Sequence, residues 1–260
     1  MDCLVWKFPK PIISLWHGIV MGGGVGLSIG TKYRVTSHDC TFAMPETGIG
    51  FFPDVGASYF LSRGPLAKGF GLYMALTGAR LNYHDLLATG IATHSISPSK
   101  LVGLEQSLTT SVDPVEIVLA HCCDQASPIQ TIPHINCIER FFGGQPVSVE
   151  RIIEELEKAE TAWSSSVAKT LSQKSPSSLK VVLRQISLGS SWSLEQTFKM
   201  EYRIALHFML SRDFVEGVRA VIISKDNKPL WSPSLLQDIS EETVENYFKS
   251  LDDIPDLQLS

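Results

Sequence analysis

"WHGIVMGGGVGLSIG", Trp16 to Gly30, holds three consecutive glycines and two overlapping motif matches. Gly26-Leu27-Ser28-Ile29-Gly30 fits the G-x-S-x-G of a nucleophile elbow, while Gly24, Gly26 and Gly30 resemble the loop of a dinucleotide site. An elbow needs its serine on a sharp turn directly after a strand. The apolar run Pro11–Trp16 reads as a strand that stops well short of Ser28, and Val25–Ile29 reads as a short helix enclosing it. A triad drawn with His94 or His207 is available on paper in most chains of this size. The dinucleotide reading fails on length. Only Val25–Thr31 precede the next strand signal, Lys32–Thr36, about two turns where a parallel crossover takes a dozen residues or more. Close packing alone is an incomplete reason for three glycines, since each forfeits stability unless its missing side chain is used. N–H groups at a helix start, backed by the positive end of the helix dipole, suit a developing oxyanion.

Such a donor needs a partner that moves protons or attacks. "MPETGIGFFPDVG", Met44 to Gly56, supplies Glu46 just after Pro45 and Asp54 just after Pro53. Loop acids are ordinarily solvated. These two sit among Phe, Ile and Gly, where a charge is costly unless it is used. Two acids in one apolar site can hold different pKa values, one as base or nucleophile and the other as hydrogen-bond partner.

The 260 residues are 44% hydrophobic and 19% charged, an ordinary globular balance. The net charge of −5 leaves no electrostatic footprint for nucleic acid. No apolar run is long enough to span a bilayer. The five cysteines, Cys3, Cys40, Cys122, Cys123 and Cys137, show no C-x-x-C pair and read as free thiols, with no metal site. Further strands are expected at Cys40–Glu46 and Ile91–Ile96, and helices near Gly56–Leu61, Ala67–Leu76 and Tyr83–Thr89. Beyond these the chain is almost wholly helical. Ile152, Ile153, Leu156, Trp163, Val167 and Leu171 recur at helical spacing, as do Leu179, Val182, Leu183 and Ile186. Ser193-x-x-Gln196 is a capping-box signature before a stripe of Phe198, Tyr202, Leu206 and Leu210. Asp226–Pro233 reads as a loop, and the tail from Leu251 as frayed.

Together "HGIVMGGGVGLSIGTKYRV", "FAMPETGIGFFPDVGASYFLSR", "YMALTGARL" and "GIATH" resemble the crotonase (enoyl-CoA hydratase/isomerase) superfamily. Within it the chain looks most like the 3-hydroxyisobutyryl-CoA hydrolase branch, which "SPSSLKVVLRQI", "MEYRIA" and "DFVEGVRAVIISKDNKPLW" also resemble. The resemblance runs from Lys10 to Phe248 and implies one α/β domain over residues 10–248. A spiral of strand–strand–helix units is expected over 10–105, a helical layer over 106–248 and a tail over 249–260. It implies hydrolysis of a short 3-hydroxyacyl-CoA thioester in valine breakdown, with coenzyme A as part of the substrate and no separate cofactor. Gly23 is implied as one backbone N–H of an oxyanion hole, Glu46 as the catalytic carboxylate and Asp54 as a substrate-contacting acid. Arg219 and Lys225 read either as cations for CoA phosphates or as solvated surface charges. A mitochondrial location is a family expectation, no nucleic-acid or membrane partner is implied, and a homo-oligomer is compatible with the family.

The resemblance also implies a second oxyanion donor from an upstream loop that "MDCLVWKFP", Met1 to Pro9, does not contain. The spiral is therefore expected to lack its N-terminal part. Loss of one such donor costs about 10²–10³-fold in rate. An enoyl-CoA hydratase, and an impaired remnant that binds CoA or homologous subunits, are the alternatives.

Overall fold

Strands β1 (Ile13–Trp16) and β2 (Ile19–Met21) are joined by His17-Gly18, and a helix, Gly23–Ile29, follows at once. β3 (Tyr33–Ser37) and β4 (Thr41–Ala43) repeat the pattern. β1 pairs with β3 in parallel, Ile13 opposite Tyr33, and β2 with β4, Ile19 opposite Thr41. β5 (His94–Ile96) extends the first sheet on the far side of β3, giving the order β1-β3-β5. The first two passes of the chain thus lay one strand in each of two sheets, and the third adds β5 to the first sheet alone. This is the α/β spiral of strand–strand–helix units that the sequence implies.

The computed structural model describes residues 1–67, 69–125, 132–144 and 148–259. They form two compact units, Met1–Ala43 with Arg80–Pro133 and Met44–Ala79 with His134–Ser260. The first unit holds the five strands found among the described residues. Its core is Tyr33, Val35, Ile96, Leu104, Val118 and Leu119, drawn from β3, β5 and the helices Leu101–Thr110 and Val115–Cys122.

The second unit is helical. Val149–Lys158, Ala162–Ser172, Pro176–Gly189 and Leu194–Met209 each start at a Ser or Thr whose side chain accepts a backbone N–H three residues on. Such a cap satisfies donors that a helix start otherwise leaves open, for about 1 kcal/mol each. The expected capping box at Ser193 and Gln196 is present. The stripe behind it differs from expectation. Phe198 is buried as expected, but Tyr202 and Leu206 are only half-buried, Leu210 lies past the helix end and is 75% exposed, and the rest of the buried line runs through Thr197, Glu201, Ile204 and Phe208.

Other elements depart from the sequence reading where pairing decided them. β2 has only three residues and exists through its partner β4, so no periodicity announces it. The strand expected over Cys40–Glu46 ends at Ala43, and Glu46 opens a 3-10 turn, Glu46–Ile49. The tail is tied down, because Asp256 accepts from Arg203 Nε at 2.8 Å. All five cysteines are free. Among the described residues no helix is long and apolar enough to cross a membrane, and no cluster of His, Cys, Asp and Glu is arranged to hold a metal.

Gly71 fixes one packing contact of the second unit. In the helix Phe70–Thr77, a Cβ at this position would land on the backbone carbonyl of Leu61, in the helix Ala57–Leu61. Neither backbone has a flexible end that yields. Gly71→Ala is expected to destabilise the protein by about 3 kcal/mol, read as a lowered urea midpoint at unchanged slope. An unchanged midpoint would refute the contact.

Candidate active site

Glu46 is held by a turn pinned on several sides. Gly48 N–H donates to the Pro45 carbonyl at 2.9 Å, and Phe51 N–H to the Glu46 carbonyl at 3.1 Å. Thr47, fully buried, donates its hydroxyl to the Leu76 carbonyl at 3.1 Å and accepts at its own carbonyl from Ser175 N–H at 3.2 Å. Gly50 turns the chain at φ +66, and any side chain there would meet the Asp213 backbone. Phe51 and Phe52 follow, packed into a cluster with Phe208 and Phe214 at centroid distances of 4.7 to 5.7 Å.

The Glu46 side chain is 6% exposed, and its Oε2 has no hydrogen-bond partner among the described residues. Burial pushes its carboxyl from the ordinary 4.5 up to about 8, and the negative charge of Asp54 adds to the rise. A backbone N–H and the Lys174 ammonium oppose it. Lys174 Nζ stands 3.3 Å from where a Cβ of Gly48 would be, and burial in turn pushes the Lys174 ammonium down. A neutral, unpartnered carboxyl beside a lysine is what a base or nucleophile needs in order to become ionised at the moment of use.

Asp54 lies half-buried on a tight turn closed by Ala57 N–H donating to the Asp54 carbonyl at 2.9 Å. Val55 and Gly56 occupy it with φ of +56 and +88. For a β-branched residue the left-handed region costs of order 1–3 kcal/mol, so other contacts must hold the turn. They come from Glu201 and Gln185. Glu201, 3% exposed, accepts from Gly56 N–H at 2.6 Å, Ser58 N–H at 2.9 Å and Ser58 Oγ at 2.7 Å. Burial pushes the Glu201 carboxyl up to about 8 against those donors, with Asp54 adding to the rise. Gln185 Nε2 donates to the Pro53 carbonyl at 2.6 Å and to Ser58 Oγ at 2.7 Å.

Glu46 and Asp54, both singled out in the sequence, therefore meet in the second unit, where each lies within electrostatic reach of the other. Gly23 belongs to the first unit and opens the helix Gly23–Ile29. The first bonded donors of that helix are Val25 and Gly26, both to the Gly22 carbonyl, which leaves the Gly23 N–H without an intrahelical partner. A Cβ at Gly23 would meet nothing within 4 Å. Ser28 spends its hydroxyl on the Gly24 carbonyl of its own helix at 2.6 Å, so the elbow reading fails. The Gly23–Ile29 helix connects β2 of one sheet to β3 of the other, which is not a dinucleotide crossover. Arg219 is bound to Glu216 and Asp226, as befits a surface cation, and Lys225 is exposed.

Lys174, Gln185 and Glu201 were not singled out in the sequence. For Glu201 a signal exists, a carboxylate in line with Thr197, Ile204 and Phe208 on the buried stripe. Lys174 and Gln185 carry none.

A buried carboxyl, Glu46, with the half-buried Asp54 in electrostatic reach is suited to acid–base or nucleophilic chemistry. A solved carnitinyl-CoA dehydratase from Mycobacterium thermoresistibile superposes with a TM-score of 0.88 at 33% identity, covering 97% of this chain and 72% of that one. Residues 1–248 match the family model described as enoyl-CoA hydratase/isomerase, and the chain belongs to that family. It is 43% identical over 258 residues to a mitochondrial 3-hydroxyisobutyryl-CoA hydrolase from Danio rerio, and 42% over 251 residues to that from Homo sapiens. These alignments cover 96% and 93% of this chain but 66% and 64% of those proteins, so it spans just under two thirds of their length.

The Glu46 shift makes a stability prediction. In the folded chain the carboxyl keeps its proton up to about pH 8, whereas unfolded it loses the proton near 4.5. The resulting stabilisation is complete below the unfolded value and is lost as pH rises through the folded one, by at most ~5 kcal/mol at ~1.4 kcal/mol per unit. Glu46→Gln, neutral and of the same shape, is expected to melt higher than the wild type above about pH 8 and close to it near pH 4.5. A melting difference that is flat across this range would contradict burial as the cause.

Proposed function

We propose that the chain hydrolyses a short 3-hydroxyacyl-CoA thioester, 3-hydroxyisobutyryl-CoA in the first place, to the free hydroxy acid and CoA, a step of valine degradation. The observation that carries this is Glu46, buried beside Lys174 with one carboxyl oxygen unpartnered and with Asp54 in electrostatic reach. The likeness to relatives named as 3-hydroxyisobutyryl-CoA hydrolases supports the acyl group. Their names also carry the mitochondrial location proposed for this chain.

In the reaction a C–S bond breaks and a C–O bond forms. Ionised Glu46 takes a proton from the attacking water, or attacks the carbonyl itself to give an anhydride that water then opens. In the first route the proton taken up by Glu46 passes to the leaving CoA sulfur; in the second CoA leaves as the thiolate, and the water that opens the anhydride supplies the proton. Asp54 orients the substrate hydroxyl or the Glu46 carboxyl. Gly23 enters the proposal as a backbone donor to the thioester oxygen. Coenzyme A arrives as part of the substrate, and no further cofactor is invoked. Likeness to the dehydratase favours a second reading, in which the two acids add water across an enoyl double bond.

Thiol release from 3-hydroxyisobutyryl-CoA by the purified chain, beside Glu46→Gln, decides between them. Release by the wild type and a loss of at least about 10³-fold in the variant are expected. Equal rates would remove Glu46 from the mechanism, and loss of enoyl absorbance without thiol release would favour the hydratase.

The pH profile tests the electrostatics. Activity is expected to rise with pH as Glu46 ionises, with a midpoint near 8. Lys174→Met removes the cation that favours the ionised form, so the midpoint moves up. Asp54→Asn removes the charge that disfavours it, so the midpoint moves down while the rate falls. Shifts in the same direction would refute the arrangement.

Gly23→Pro deletes an N–H that the helix does not use, at a first helical position where proline is tolerated. A loss of about 10²–10³-fold in kcat with a cooperative melt retained is expected. Unchanged kcat would exclude Gly23 as a donor.

A further inference from the structure

We propose that Glu201, with Gln185, is the positioning residue that sets the Pro53–Ser58 turn and, through it, the placement of the Asp54 carboxylate. The inference rests on the reading of Asp54 as a working acid and adds the residues that aim it.

The turn is an awkward piece of backbone. Its two central residues, Val55 and Gly56, are both left-handed, and Val55 has a branched side chain that opposes that conformation. The helix that follows, Ala57–Leu61, begins at Gly56, which has no side chain to cap it. Left alone, this segment would relax toward an ordinary turn and carry Asp54 with it. Glu201 supplies the missing cap from a helix 145 residues further along the chain, taking the N–H groups of both Gly56 and Ser58. The Ser58 hydroxyl adds a third bond to the same carboxyl.

The other side of the turn is held by Gln185. The Pro53 carbonyl can only accept, so the bond to it fixes which end of the Gln185 amide faces the turn. The second amide hydrogen goes to Ser58 Oγ, so both anchors converge on one hydroxyl. Gly189, one turn along the Gln185 helix, lets that helix approach until only a hydrogen atom fits against the Ser58 carbonyl. Ser58 and Gln185 are fully buried and Glu201 nearly so. Asp54 thus stands between a fixed residue on one side and a fixed pair on the other.

A residue that merely stabilised the unit would fill this space with carbon. Burying a carboxyl and an amide in a helical core is costly, and Gln185 Oε1 has no hydrogen-bond partner among the described residues. The arrangement is accounted for if the turn geometry, more than the stability of the unit, is what is being held.

The test is a double-mutant cycle on the full chain, read as thiol release from 3-hydroxyisobutyryl-CoA. Wild type, Glu46→Gln, Asp54→Asn, Glu201→Gln and Asp54→Asn/Glu201→Gln are compared, each with its melting curve. In Glu201→Gln an amide NH₂ faces a backbone donor, so one bond is lost and the turn is released. A fall of about 10–100-fold in kcat with little change in KM is expected. In the Asp54→Asn background the same substitution is expected to cost less than about 2-fold, because Glu201 acts only through Asp54. Ser58→Ala removes one bond from each anchor and is expected to give a smaller loss with the same non-additivity. It decides the matter should Glu201→Gln fail to fold. Full activity in a folded Glu201→Gln or Ser58→Ala, or losses that multiply with that of Asp54→Asn, would overturn the proposal. Wild type without thiol release, or equal to Glu46→Gln, would instead overturn the hydrolase reading itself.

Discussion

A carboxyl group buried in a protein interior must be carried by the fold around it, and the second unit is organised by that constraint. Glu46 is removed from water with one oxygen unpartnered, and the protein holds it there through a turn bonded to Leu76 on one side and Ser175 on the other. Glycines at 50 and 217 let backbone from the Arg212–Val218 helix press against the same turn, since a side chain at either would strike Asp213 or Ile49. Burial raises the proton affinity of Glu46, and Lys174 and Asp54 pull it in opposite directions. Ionisation of one side chain is thereby linked to two other segments, those bearing Asp54 and Lys174.

The same economy of contacts appears around Asp54. Its turn cannot be maintained by local sequence, because Val55 resists the conformation it occupies and Gly56 offers no cap. Long-range polar contacts from the helices Pro176–Gly189 and Leu194–Met209 take over. The stable, well-capped helices of the C-terminal half are in this sense the frame on which two N-terminal loop acids are mounted. Placing functional groups on loops and rigidity in helices is a general solution, since loops alone cannot hold a side chain to a fraction of an ångström.

Much of this was legible in the residues. The pairing of Pro-Glu with Pro-Asp in a Phe- and Gly-rich segment marked both acids, and helical periodicity marked the C-terminal layer. Glu201 was hidden because the apolar stripe was placed on Phe198, Tyr202, Leu206 and Leu210. Phe198 is buried, but from there burial follows Thr197, Glu201, Ile204 and Phe208, a face that includes two polar residues and so stands out poorly as a hydrophobic stripe. β2 was hidden because three residues carry no period, and the frayed tail was a misreading because an Arg203–Asp256 pair is not a local signal.

The sequence by itself determined the elements and the chemistry available: spiral strands with glycine-led helices, Ser- and Thr-capped helices, and two acids in an apolar setting. These depend on neighbours a few residues apart, which periodicity and capping record. Tertiary structure alone decided how acidic those acids are and what holds them. The proton affinity of Glu46 depends on burial, on Asp54 and on Lys174, and the turn bearing Asp54 depends on Gln185 and Glu201. Such contacts span up to 145 residues of chain. No local pattern encodes the dielectric at a carboxyl or the partner of a buried N–H, because both are properties of the packed interior.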